Sequence, residues 1–167
     1  MEKEITEVYC GNGRGKTTLA IGQALRASSQ GKSVIIIQFL KGNERRELNF
    51  LEELDQLDIK IFRFEKMETC YDQLNEEEQV EEERNILNGL NFARKVIATQ
   101  ECDFLVLDEI LGLLDKHIAT VDMVVGLLKQ KDESMHLILT GNRVDPGILD
   151  YVDSVTTITT LGREQNS

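Results

Sequence analysis

The stretch Tyr9-Cys10-Gly11-Asn12-Gly13-Arg14-Gly15-Lys16-Thr17-Thr18 constrains this chain more than any other. It stands between a short β-type run, Ile5–Tyr9, and a helical run, Thr17–Gln30, with Leu19, Ala20, Ala24 and Leu25 at helical spacing. Glycines let a backbone turn its N–H groups toward an anion, and the helix that follows directs its positive end to the same place. Lys16 adds a point charge, Arg14 a second cation, and Thr17 a hydroxyl able to ligate Mg²⁺. The stretch departs from the G-x-x-x-x-G-K-S/T pattern at one position, since Cys10 stands where the first glycine belongs. The strand before it and the helix after it are still what a phosphate-binding loop needs. Gly11, Asn12, Gly13, Arg14, Gly15, Lys16, Thr17 and Thr18 are therefore read as nucleotide-binding residues.

A second stretch answers the first. Phe104-Leu105-Val106-Leu107-Asp108-Glu109 is an apolar run closed by two acids. A strand of this kind delivers a carboxylate to the C-terminal sheet edge, beside Mg²⁺. Asp108 or Glu109 can ligate the metal directly or through water, and Glu109 can also orient a nucleophile. Further strands are predicted over Ser33–Phe39, Asp58–Phe64, Met135–Thr140 and Ser154–Leu161. Unalternated apolar runs suit parallel strands covered on both faces. Ligands of open parallel sheets sit beyond the C-terminal strand ends. That rule adds Lys41, just past the second strand, and Thr140 or Arg143, at the end of the fifth, as residues that can face the phosphates.

Helices are predicted over Glu44–Leu57, from a cap at Asn75 to about Thr99, within Ile110–Ala119, over Thr120–Lys131, and after Asp145-Pro146. Glu76, Glu77, Glu78, Glu81, Glu82 and Glu83 are expected as a solvated acidic helix start. Lys66–Leu74 has little regular pattern and is expected as a mobile loop over the site. Strands alternating with helices give an α/β three-layer sandwich with a mainly parallel sheet of about six strands. No repeat or linker is visible, so residues 1–167 are expected to form a single P-loop nucleotide-binding domain.

Composition narrows the partners. A formal net charge of −11 argues against a general nucleic-acid or membrane-surface binder, because both are polyanions. There is no apolar run near the length of a membrane span and no basic-then-apolar leader at Met1–Val8, so a cytoplasmic protein is expected. Cys10, Cys70 and Cys102 show no metal-ligand spacing, and His117 and His136 form no cluster. Reduced cysteines and no zinc or iron site are expected.

The residues now in hand resemble bacterial corrinoid adenosyltransferases of the P-loop type. Tyr9–Thr18 is similar to that family's loop, which usually carries threonine where Cys10 stands. Gln38-Phe39-Leu40-Lys41-Gly42 resembles its second strand ending, and Leu105–Glu109 its Walker B strand. Leu137-Ile138-Leu139-Thr140-Gly141, followed by Ile148-Leu149-Asp150 and Val152-Asp153, resembles its C-terminal section. These blocks fall in the family's order over nearly the whole chain. The resemblance implies a RecA-like fold and transfer of the 5′-deoxyadenosyl group of ATP to a reduced Co(I) corrinoid, with release of triphosphate. It implies that Lys16 and the loop amides hold the polyphosphate, and that Thr17, Asp108 and above all Glu109 hold Mg²⁺ (or Mn²⁺). It also implies a homodimer. Three places depart from the family. Its aromatic-rich segment after the third strand corresponds to Glu68–Leu74 here, in a chain without tryptophan, which leaves Tyr71 and Leu74 as candidates to cover the corrinoid. Its arginine-proline-valine-lysine-histidine-like ending is replaced by Leu161-Gly162-Arg163-Glu164, and its arginine after threonine-glycine by Asn142, with Arg143 one place on. Two other readings stand beside this one: a P-loop ATPase in which Glu109 positions water, and an ATP-sensing regulatory protein without corrinoid activity.

Overall fold

The structure is a computed structural model and describes residues 3–40 and 56–162. Lys41 and the helix predicted over 44–57, apart from its last two residues, lie outside the described residues. Six strands form one sheet: β1 (Thr6–Cys10), β2 (Val34–Gln38), β3 (Ile59–Arg63), β4 (Phe104–Asp108), β5 (His136–Thr140) and β6 (Ser154–Thr157). The order is β3-β2-β4-β5-β1-β6, and every pair is parallel. The described helices are α1 (Lys16–Ser29), α2 (Glu76–Thr99), α3 (Ile110–Asp115), α4 (Val121–Gln130) and α5 (Pro146–Leu149).

Both sheet faces are covered, which is why the strands read as continuous apolar runs. Side chains alternate across the pleat. Val34, Ile36, Phe104, Val106 and Ile138 face α1, whose small stripe of Ala20, Ala24 and Ala27 lets the helix lie close to the sheet. Ile35, Ile37, Leu105, Leu107, Leu137 and Leu139 face the other way. They pack on Ile86, Leu90, Ala93 and Ile97 of α2, on Leu111 and Leu113 of α3, and on Leu127 and Leu128 of α4. Burying each such Leu or Ile contributes roughly 1.5–3 kcal/mol, so this double layer supplies most of the driving force.

Caps match the sequence signals. Asn75 accepts from the Glu78 N–H and Glu78 reaches back to the Asn75 N–H, a complete capping box. Asp145 caps α5 ahead of Pro146, as expected, while Thr120, expected as the first residue of a helix, is the N-cap of α4. One strand is shorter than predicted. β6 stops at Thr157, and residues 158–160 leave the sheet to lie against the turn after β1. For the site, the strand order is decisive. β5 separates β1 from β4, so the end of β5 lies between the glycine-rich turn after β1 and the acids at the end of β4.

Candidate functional site

β1 ends at Cys10, and the chain passes through Gly11 (φ 109°) and Gly15 (φ 99°) before α1 begins at Lys16. Both glycines are left-handed, a conformation that strains other L-residues. Gly15 is the N-cap of α1, and no side chain caps that helix. The positive end of the helix dipole there suits an anion. The Lys16 ammonium lies across the loop. It donates to Gly11 O at 2.5 Å, Gly13 O at 3.3 Å and Asn142 Oδ1 at 3.2 Å. Asn142 follows β5 and also holds the loop through its carbonyl, which accepts from Gly11 N–H at 2.8 Å.

Thr17 turns toward β4. Its hydroxyl donates to Asp108, 3.0 Å from Oδ1 and 3.2 Å from Oδ2. Asp108 is only 1% exposed, and a buried carboxylate is costly unless donors meet it. Thr140 donates to its Oδ1 at 2.7 Å and Gln38 to its Oδ2 at 3.2 Å. Arg63 Nε in turn donates to Gln38 Oε1 at 2.8 Å. Arg63, Gln38, Asp108 and Thr140 are the last residues of β3, β2, β4 and β5. They form one hydrogen-bonded polar row along the C-terminal sheet edge. Glu109 follows in a left-handed conformation (φ 65°), costly for a residue with a side chain, and its N–H donates to Thr140 Oγ1 at 2.7 Å. Gly112 makes room for it, since a Cβ there would lie 3.2 Å from Glu109 Oε1.

Thr17, Asp108 and Glu109 offer hydroxyl and carboxylate oxygens only, the hard donors that suit Mg²⁺ or Mn²⁺. Among the described residues no group of three or more His, Cys, Asp or Glu gathers to hold a metal. That is compatible with Mg²⁺, which takes one or two carboxylates and completes its shell with phosphate and water.

The family model for ATP:corrinoid adenosyltransferases (BtuR/CobO/CobP) matches residues 2–165. The chain belongs to this family. The corrinoid adenosyltransferase of Escherichia coli K12 is 31% identical over 158 residues, 93% of this chain and 76% of that protein. The corrinoid adenosyltransferase of Salmonella typhimurium is 29% identical over 156 residues, again 93% and 76% of the two chains. Among solved structures, a KaiC-like protein from Pyrococcus horikoshii superposes with a TM-score of 0.60 at 18% identity, covering 93% of this chain and 71% of that one. The fold of this adenosyltransferase family member is accordingly the RecA-like α/β fold.

In this adenosyltransferase family member, Arg143 and the acidic start of α2 both make contacts with distant parts of the chain. Arg143 Nε donates to Asp115 Oδ1 at 2.8 Å, and both residues line a cavity of about 390 Å³ together with Leu111, Leu114 and Val144. The turn before it is fixed by Gly141, where a Cβ would meet Leu111 Cβ at 2.4 Å, and it is Asn142 that faces Lys16. The acidic start of α2 is also not uniformly solvated. Glu82 is 2% exposed and accepts from the Lys66 N–H at 2.9 Å, the Met67 N–H at 3.2 Å and Asn85 Nδ2 at 2.8 Å.

The segment expected as a free loop is thereby held from several sides. Tyr71–Gln73 is a 3₁₀ turn. The Tyr71 hydroxyl donates to Glu83, and its carbonyl accepts from Gln79 at 3.1 Å. Burial, then Glu83, pushes that hydroxyl up to about 12, so it stays a donor. Lys116, just after α3, pairs with Asp72 at 2.5 Å. Tyr71 and Leu74 are half-buried on this turn. The reading of the residues missed Gln38, Asn142 and Glu82. Each left a trace: Gln38 is a polar residue closing an apolar run, Asn142 follows a strand end, and Glu82 lies on the stripe of Asn85, Ile86, Gly89 and Leu90.

Proposed function

We propose that this chain transfers the 5′-deoxyadenosyl group of ATP to a reduced Co(I) corrinoid and releases triphosphate. The observation that carries the reading is the meeting of Thr17 with Asp108 at 3.0 Å, next to Lys16, in a chain matched by the family over residues 2–165. In this reaction the cobalt supplies the electron pair. A Co–C5′ bond forms, the C5′–O bond breaks, and its electrons leave on triphosphate. No protein nucleophile is required.

The protein's part is placement and charge. Lys16 and the first turn of α1, with Gly11–Gly15 shaping the loop and Thr18 continuing it, hold the polyphosphate where negative charge grows as it departs. Arg14 and Lys41 are assigned as further cations for ATP. Arg143, whose Nε is engaged by Asp115, is assigned there through its remaining guanidinium donors. Thr17, Asp108 and Glu109 would hold Mg²⁺ or Mn²⁺, which neutralises charge on the triphosphate when bound. Asp108, gripped by Thr140 and Gln38, also fixes the Thr17 hydroxyl. Tyr71 and Leu74 are assigned to the corrinoid. Among the described residues no helix is long and apolar enough to cross a membrane. We assign the working unit as one nucleotide-binding domain, in the cytoplasm, as a homodimer, without nucleic acid.

The test is anaerobic. Protein, Mg-ATP and chemically reduced cobalamin are mixed, and the corrinoid spectrum and phosphate products are followed. Alkylcobalamin with inorganic triphosphate is the expected result. ADP and phosphate formed without corrinoid would replace the reading with an ATPase, and tight ATP binding with neither product would leave a sensor.

A further inference from the structure

The phosphate loop is held on two sides. On the β5 side, Asn142 binds Gly11 N–H and Lys16. On the β6 side, the backbone just past the strand lies directly against the loop. Ile158 N–H donates to Cys10 O at 2.8 Å, Gly13 N–H donates to Ile158 O at 2.8 Å, and Arg14 N–H donates to Thr160 Oγ1 at 2.9 Å. The contact is close enough to dictate residue type. A Cβ on Gly11 would lie 2.3 Å from Ile158 O, and one on Gly13 would lie 2.6 Å from the same atom. Gly11 and Gly13 are thus glycine because a second stretch of backbone passes against them. The side matters too. Lys16, Thr17 and Asp108 converge toward β5 and β4, whereas β6 flanks β1 on the opposite side.

We infer that Thr160, together with the Ile158 carbonyl, is a positioning residue for triphosphate. It anchors the N–H groups of Gly13 and Arg14 from behind, which fixes the curvature of the loop and aims Lys16 and the first turn of α1 at the ligand. This rests on the phosphate-loop reading above. It makes the exit of β6 part of the ATP site without touching ATP. Thr160 is exposed, so its hydroxyl bond contributes little to folding and acts through the loop it shapes.

The experiment measures binding of inorganic triphosphate and of ATP, with Mg²⁺, to the full chain by calorimetry, together with steady-state KM and kcat. Thr160→Ala and the isosteric Thr160→Val are expected to weaken triphosphate binding roughly 5-fold, the loss of one hydrogen bond. KM for ATP rises by the same factor, kcat at saturating ATP is unchanged, and Thr160→Ser restores both. Amide exchange at Arg14 is faster in both weakened variants. Lys16→Ala is the control. If it abolishes triphosphate binding while Thr160→Ala and Thr160→Val bind as the parent does, the inference about Thr160 fails alone. Tighter binding by these variants would also overturn it, since the segment would then compete with phosphate. Retained triphosphate binding by Lys16→Ala would sink the phosphate-loop reading and this inference with it.

Discussion

Lys16 and Asp108 show how differently two residues of one site are held. Lys16 is half-exposed and its three partners are two carbonyls and an amide oxygen, all of which water can replace. Lys16→Ala is therefore expected to stay folded, with an unchanged circular-dichroism spectrum, while ATP-dependent corrinoid alkylation is lost. Asp108 is buried beneath donors from Thr17, Thr140 and Gln38. Removing it strands those donors. Asp108→Ala should cost about 3 kcal/mol, which for a chain of this size lowers the melting temperature by roughly 6–12 °C in calorimetry. A melting temperature equal to the parent's would mean the row is not holding the sheet edge. Asp108→Asn keeps one acceptor and should be milder in stability, with activity still lost.

At the scale of elements, α2 and the segment before it act as a unit. The first half of α2 is acidic, and one of its acids is spent inward. Glu82 receives two backbone N–H groups from residues 66 and 67, and Tyr71 and Asp72 are tied to Glu83 and Lys116. Glu82→Ala leaves the Lys66 and Met67 N–H groups unmet, at about 2–3 kcal/mol. Hydrogen exchange should quicken across residues 66–74, and KM for the corrinoid should rise while ATP affinity holds. Tyr71→Ala is expected to raise corrinoid KM without the stability loss. Should ATP affinity fall instead, the 3₁₀ turn faces the nucleotide and not the second substrate.

Across the whole molecule, the ends of the sheet carry different duties. The C-terminal edge holds the candidate site, and the opposite edge is laced by polar contacts to carboxylates. His136 stacks on Phe104 with ring centroids 4.7 Å apart and has Glu4 at 3.1 Å and Glu7 at 2.7 Å, while Lys32 meets Glu4 at 2.5 Å. The Lys32 hydrogen bond, helped by His136 and opposed by burial, holds the Glu4 carboxyl below its ordinary 4.5. A depressed acid contributes stability that is present above the unfolded value and is lost as pH falls through the folded one. Urea midpoints should therefore fall as pH drops below about 4.5, and Glu4→Gln should flatten that slope. The cysteines divide by burial as well. Burial pushes the Cys102 thiol up to about 12, Cys10 is buried, and Cys70 is exposed. A thiol reagent at pH 8 should label Cys70 alone in the native protein and all three cysteines in denaturant. Fast labelling of Cys102 would contradict the packing at the start of β4.

Much of this was legible in the sequence because it is local. Gly11–Thr18 after a strand, the Asp108-Glu109 pair after another, the Asn75 and Asp145 caps, and the unalternated strands all depend on a few consecutive residues and on backbone geometry. Those signals determined a parallel α/β sheet with its polar ends on one edge. What only the tertiary structure decided is which distant groups meet. Strand order put β5 between β1 and β4, and so Thr140 and Asn142 between the loop and the acids. The burial of Glu82 and the pairing of Arg143 with Asp115 follow from contacts between elements far apart in the chain. The phosphate loop shows the division most clearly. Its glycines announce a turn, but two of them are required because Ile158, over a hundred residues later, passes against them, and no pattern along the chain encodes that approach.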